Sequence, residues 1–135
     1  MVAQQLANFQ AEAIERHCVL VVEDEIFVRW AVTEALRDVG YQVIEAASGD
    51  EAVSVLRSGA PIDLVFSDVR MPGTVDGLAL LELVRAEKPT IPVLITSGHS
   101  EPGPVLERGA VHFLRKPYEI SALIELVGDE LGAPA

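Results

Sequence analysis

One cysteine, one tryptophan and ten basic residues are what this chain of 135 residues has least of. Each scarcity closes off a class of protein. With Cys18 alone, no disulfide can form within the chain, so a secreted disulfide scaffold is excluded and a reducing cytoplasm is the expected setting. Ten Lys and Arg stand against twenty-one Asp and Glu, a formal charge of -11 that repels phosphate backbones and disfavours direct nucleic-acid binding. Long apolar runs are missing too. Half the residues are hydrophobic, yet no uncharged run approaches the roughly 18 to 20 residues of a membrane-spanning helix. The opening "MVAQQLANFQAEAIERH" lacks the basic start, apolar middle and small-residue cleavage site of a secretory signal. The chain therefore reads as soluble, with no membrane partner and a length that fits one domain.

What is present is an alternation of short apolar runs with helical patterns, repeated about five times, which predicts βα units and a parallel sheet. The strand candidates are Cys18 to Val22, Gln42 to Ala46, Leu64 to Ser67, Val93 to Thr96 and Val111 to Arg115. "CVLVV", "DLVF" and "PVLIT" are nearly continuous in apolar residues, as strands covered on both faces must be, and are expected at the centre. The first helical pattern, "IFVRWAVTEALRDVG", carries Ile26, Val28, Trp30, Ala31, Leu36 and Val39 at mostly helical spacing, with Gly40 as its stop; Trp30, like Cys18, is read as a packing residue. Ser48 with Glu51 gives the second a capping-box start before Ala52, Val55 and Leu56. Leu78, Leu80, Leu81 and Val84 mark a third that ends before Pro89, and Ile120, Leu123, Ile124, Val127 and Leu131 a fifth. The fourth is weak, because "SEPGPVLERGA" leaves about two turns, from about Pro104 to Arg108. Residues 1–17 form an N-terminal extension whose Leu6, Phe9, Ala13 and Ile14 suit either a frayed end or a docking helix, and residues 132–135 a short tail.

In an open parallel sheet ligands bind beyond the carboxyl ends of the strands, so the residues each strand delivers there are the candidates for chemistry. The first strand delivers Glu23 and Asp24, the third Asp68 ahead of a Pro-Gly loop, the fourth Thr96 followed by Ser97, and the fifth Lys116. Three carboxylates on one edge repel one another unless a cation joins them, and magnesium, a hard ion served by one or two carboxylates, suits the set. The acids of "EDE" would otherwise serve as favourable charges at a helix N-terminus. His99 and His112 have no partner spacing that suggests a metal site.

"VVEDE", "DLVFSDVRMPG", "PVLITSG" and "FLRKPY" together resemble, in order and at nearly the expected spacing, the landmark segments of the receiver domain of two-component response regulators, over roughly residues 18–131. The resemblance implies a flavodoxin-like (βα)5 fold, a doubly wound five-stranded parallel sheet of order 2-1-3-4-5. It implies phosphorylation of Asp68 by a histidine kinase, Mg2+ or Mn2+ held by Glu23, Asp24, Asp68 and the carbonyl of Arg70, and Thr96 and Lys116 as groups that bind the phosphoryl oxygens. Phe113 matches the switch aromatic that moves with Thr96, unless it is a static core residue, and Pro117 the cis-proline that aims Lys116.

On this reading the chain is a signalling module rather than an enzyme acting on a metabolite. Its alternative is a phosphorelay intermediate, or phosphate sink, exchanging phosphoryl groups with a histidine phosphotransfer protein. The face formed by the fourth helix, fifth strand and fifth helix would be the output surface, with a homodimer as one possible product. A flavin binder is disfavoured because "EDEIF" would repel a flavin phosphate, and a phosphatase because Arg70 stands where a second acid is needed. Glu-Asp replaces the more usual Asp-Asp, and the Thr96 to Lys116 interval is slightly short. With no output domain after Leu131, a stand-alone or excised receiver is expected.

Overall fold

The computed structural model describes residues 17–132, in which strands and helices alternate from end to end. The strands are β1 (Cys18–Val22), β2 (Gln42–Ala46), β3 (Leu64–Asp68), β4 (Val93–Ser97) and β5 (His112–Arg115). Each is followed by a helix: α1 (Ile26–Asp38), α2 (Gly49–Arg57), α3 (Gly77–Glu87), α4 (Pro102–Glu107) and α5 (Ile120–Leu131). All four strand pairings are parallel and the order is β2-β1-β3-β4-β5, as the sequence predicts.

Every residue of β1, β3 and β4 is buried, in keeping with their nearly continuous apolar runs, and the polar residues Ser67, Asp68, Thr96 and Ser97 fall only at the carboxyl ends of β3 and β4. Side chains alternate between the faces of the sheet. Leu20 and Val22 pack with Leu56, Leu81, Val84 and Ile95 beneath α2, α3 and α4. Val19 and Val21 face the other way, toward Leu36, Phe66, Leu94 and Leu123 beneath α1 and α5. Neighbouring strands β1 and β3 thus send their helices to opposite faces, and a crevice opens between their carboxyl ends.

Three expectations are corrected. β3 runs one residue further, to Asp68, β4 one further, to Ser97, and β5 begins at His112 rather than Val111. The fourth helix is the six residues Pro102–Glu107, because proline at a first helical position costs no hydrogen bond and so starts the helix earlier than expected. On α1 the buried stripe is Val32 and Leu36 with half-buried Val28, whereas Ile26, Trp30 and Val39 are exposed at 62%, 63% and 41%. A step of two residues turns a helix by about 200°, so Trp30, two from Val28 and two from Val32, points away from the sheet. Trp30 is therefore not a packing residue. Cys18 is buried, as expected. The reading of residues 1–16 as an extension falls outside the described residues, as does most of the C-terminal tail.

Candidate functional site

Asp68 closes β3 with its side chain almost wholly buried, in register with Thr96 of β4. Such a position comes from the sheet rather than from a loop, so the carboxylate is aimed by a rigid element. The backbone behind it is crowded. Gly77 N–H donates to the Val69 carbonyl at 2.8 Å, and a Cβ on Gly77 would fall 2.0 Å from the Asp68 carbonyl oxygen, so only glycine closes this turn.

Lys116 reaches across from the end of β5, and its Nζ donates to Asp68 Oδ2. The same ammonium lies 3.7 Å from Glu23 Oε1. Burial alone would lower the Lys116 pKa, but the Asp68 hydrogen bond and charge, with Glu23 and Asp24 behind them, outweigh it and raise it. The Lys116–Pro117 peptide bond is cis, as the resemblance implies. Asp68 Oδ1 accepts the Arg70 backbone N–H at 3.3 Å, while the Arg70 side chain is exposed.

Glu23 and Asp24 follow β1 into the same crevice, Glu23 buried and Asp24 exposed. The Glu23 backbone is fixed on both sides: its N–H donates to Ala46 O at 3.0 Å and its carbonyl accepts Arg29 Nη1 at 2.9 Å. Its side chain is not so well served. Oε2 is buried with no hydrogen-bond partner among the described residues, and burial, with the charges of Asp68 and Asp24, pushes the carboxyl up to about 7 against the pull of Lys116.

One carboxylate oxygen from each of Glu23, Asp24 and Asp68 lies within 4.8 Å of the others. Three gathered carboxylates, one of them with a buried oxygen that no described residue partners, are the environment a divalent cation completes, so the residues fit the magnesium that the sequence implies.

Thr96 is beside Asp68, but its hydroxyl is turned away, donating to the Leu114 carbonyl of β5 at 2.7 Å. Phe113 is half-buried against the core, with the Arg115 guanidinium 5.5 Å from its ring centroid. The expected residues therefore divide: Glu23, Asp24, Asp68 and Lys116 meet directly, while Thr96 and Phe113 stand one step removed. His112 lies 3.0 Å from Glu130, and His99 lines only the rim.

Two features went unread in the sequence. Tyr118 packs edge-on against Phe66, with ring centroids 6.1 Å apart, and lines the crevice. Burial and the nearby Glu23 and Asp68 charges push its phenol up to about 12. Its signal was the aromatic directly after "KP". The other is a cavity of about 740 Å³ that runs from Asp68 and Lys116 along Phe27, Val28, Ala31 and Ile120. Phe27 lines it while 77% exposed, and Ile26 and Trp30 of the same helix are exposed as well.

Fold and site together define a doubly wound α/β domain with an acidic, lysine-bound crevice at its switch point. The chain belongs to the response regulator receiver domain family, whose family model matches residues 19–128. It is 36% identical over 117 residues to the DNA-binding transcriptional regulator NtrC of Salmonella typhimurium, covering 84% of this chain and 24% of that protein. It is 33% identical over 112 residues to the nitrogen assimilation regulatory protein NtrX of Azorhizobium caulinodans, covering 80% and 24%. The chain thus spans about a quarter of the length of these curated relatives. Among solved structures it is similar to the receiver domain of NtrX from Brucella abortus, with a TM-score of 0.77 and 35% identity over 84% of this chain and 97% of that one. The receiver domain of Francisella response regulator 1452 superposes with a TM-score of 0.80 at 26% identity, covering 86% and 97%.

Proposed function

We propose that Asp68 takes a phosphoryl group from a phosphohistidine on a histidine kinase or histidine phosphotransfer protein, and that the phosphorylated chain presents a changed surface to a protein partner. The observation that carries this reading is the Asp68 carboxylate, fixed at the end of a central strand with one oxygen on Lys116 and two further acids beside it. In the transfer an Asp68 oxygen attacks phosphorus as the bond to the imidazole nitrogen breaks, and the electron pair leaves with the histidine. The chain keeps the phosphoryl group; it does not turn over a metabolite.

Glu23, Asp24, Asp68 and the Arg70 carbonyl would hold Mg2+ or Mn2+, which when bound neutralises charge on the transferring oxygens. The Lys116 ammonium, already on the acceptor carboxylate, moves onto a phosphoryl oxygen as a charge-assisted donor. Thr96 gives up the Leu114 carbonyl to donate to another, and Phe113 on the same strand responds. That couples Asp68 to the face of α4, β5 and α5, where a partner or a second copy of the chain would read the change. The exposed apolar side chains of α1, Phe27 at the crevice with Ile26 and Trp30 on the same helix, supply a landing surface for the phosphodonor protein.

Incubation with acetyl phosphate and magnesium tests the assignment. The intact mass should rise by one phosphoryl group, Asp68→Asn should prevent it, and normal labelling of that variant would overturn Asp68 as the acceptor.

A further inference from the structure

Asp50 is the second residue of α2 and is not needed to cap it, since Ser48 Oγ already accepts the Glu51 N–H at 3.1 Å. Its carboxylate is spent across the domain surface instead. Oδ1 accepts the Thr74 hydroxyl at 2.6 Å and Oδ2 accepts the Thr74 backbone N–H at 3.2 Å. Thr74 lies in the loop that leaves Asp68 and leads to α3, residues 69–76. Both oxygens of one exposed carboxylate are thus committed to one residue of that loop.

The loop is shaped for this contact. Gly73, next to Thr74, has φ +99, and a Cβ there would meet Asp50 Oδ2 at 2.5 Å. The Asp50 carboxyl is held below its usual value, first by the Thr74 hydroxyl and then by backbone N–H groups that include Thr74 and Val75. At its base the loop is tied by the Gly77 to Val69 hydrogen bond beside Asp68. Between base and tip lie Arg70 and Met71, with the Arg70 N–H on Asp68 Oδ1.

We infer that Asp50 is a positioning residue for the Asp68 site: by clamping Thr74 it holds the 69–76 loop so that the Arg70 backbone stays aimed at Asp68 and the bound cation. This rests on the reading of Glu23, Asp24, Asp68 and Arg70 as the metal site. The clamp touches neither metal nor phosphoryl group. It acts by preorganisation, removing in advance the entropy cost of ordering the loop around its ligand.

Asp50→Ala, Asp50→Asn, Thr74→Val and Thr74→Ser separate the clamp from general structure. Both positions are exposed, so folding is retained in all four variants. In metal-free protein, hydrogen exchange of residues 70–76 should accelerate in Asp50→Ala and Thr74→Val and stay at the parent rate in Thr74→Ser, which keeps both donors. Asp50→Asn should fall between, because its amide can accept only through one atom. Calorimetric titration with MgCl2 should give affinity about fivefold weaker in Asp50→Ala, the order expected from losing two exposed hydrogen bonds, with Thr74→Ser unchanged.

Parent-like exchange and magnesium affinity in Asp50→Ala would overturn the inference, as would Thr74→Ser being as impaired as Asp50→Ala. If the parent chain binds no magnesium, the metal reading fails on its own, and the exchange measurements still decide whether Asp50 holds the loop.

Discussion

Glu23 sits in a conflict that a proton or a cation relieves. Its carboxyl rises from the ordinary 4.5 to about 7 because burial and two neighbouring acids penalise its charge more than Lys116 rewards it. The folded state therefore binds this proton more tightly than the unfolded state does. The stability it contributes is complete below about pH 4.5 and is lost as pH rises through 7. The lowered carboxyls of Asp50 and Glu87 act in the opposite sense but only at more acid pH. In metal-free buffer the melting temperature should fall between pH 5 and pH 8, and Glu23→Gln, neutral at every pH, should flatten that slope. A slope unchanged in the variant would place its origin elsewhere.

Among the elements, α1 and α4 carry opposite lessons. Helix α1 anchors Val32 and Leu36 in the core and leaves Ile26, Phe27 and Trp30 to solvent beside the crevice. Because those side chains are exposed, Phe27→Ala with Trp30→Ala should change stability by less than about 0.5 kcal/mol. Transfer from a phosphohistidine protein should nevertheless slow at least about tenfold if together they supply more than 1.4 kcal/mol of docking. Labelling by acetyl phosphate should keep its rate; an equal loss with both donors would refer the effect to the site itself.

Helix α4 has six residues, two of them proline, and only Val105 is buried. Its preceding loop wraps on the Ser97 hydroxyl, which accepts the His99 and Ser100 N–H groups at 3.1 and 3.0 Å. So few contacts leave it cheap to reorganise. Hydrogen exchange with beryllofluoride and magnesium should show protection rising over residues 97–110 and around Phe113. Changes confined to α1 would move the output surface there. The weakness of α4 was legible from its prolines and glycines. The orientation of α1 was not, because apolar residues occupy both its faces and periodicity alone does not say which face the sheet takes. The direction of the Thr96 hydroxyl also escaped the sequence, since it depends on the register of β5 and on a carbonyl that every residue type supplies.

At the scale of the molecule, the central strands and the convergence of Glu23, Asp24, Asp68 and Lys116 were legible from apolar runs and strand ends, while the strand order came from the resemblance of the four landmark segments. The Asp50 to Thr74 clamp was not legible, being a contact between the first turn of α2 and a distant loop that no periodicity encodes. The chain carries -11 overall and gathers three acids at one edge, so cation binding should be felt globally. Magnesium at about 100 times its dissociation constant should add about 2.7 kcal/mol, read as a rise in melting temperature. Asp24→Ala should abolish that rise while matching or exceeding the metal-free parent, since it removes repulsion from an exposed position. An undiminished rise would make Asp24 a helix-terminus charge instead.

The sheet order has a kinetic consequence as well. β1 is early in the chain but lies between β2 and β3, with Leu20 pairing both Ile44 and Val65, so the centre of the sheet cannot close until the chain has been made and ordered past β3. Closing such loops costs entropy before any contact repays it, which places folding with the slower mixed α/β domains rather than with helical bundles. β5 joins only at the far edge through β4, so the strand that leads to Lys116 is held by a single neighbour. A chain caught before that strand docks would hold its acids together without the Lys116 counter-charge.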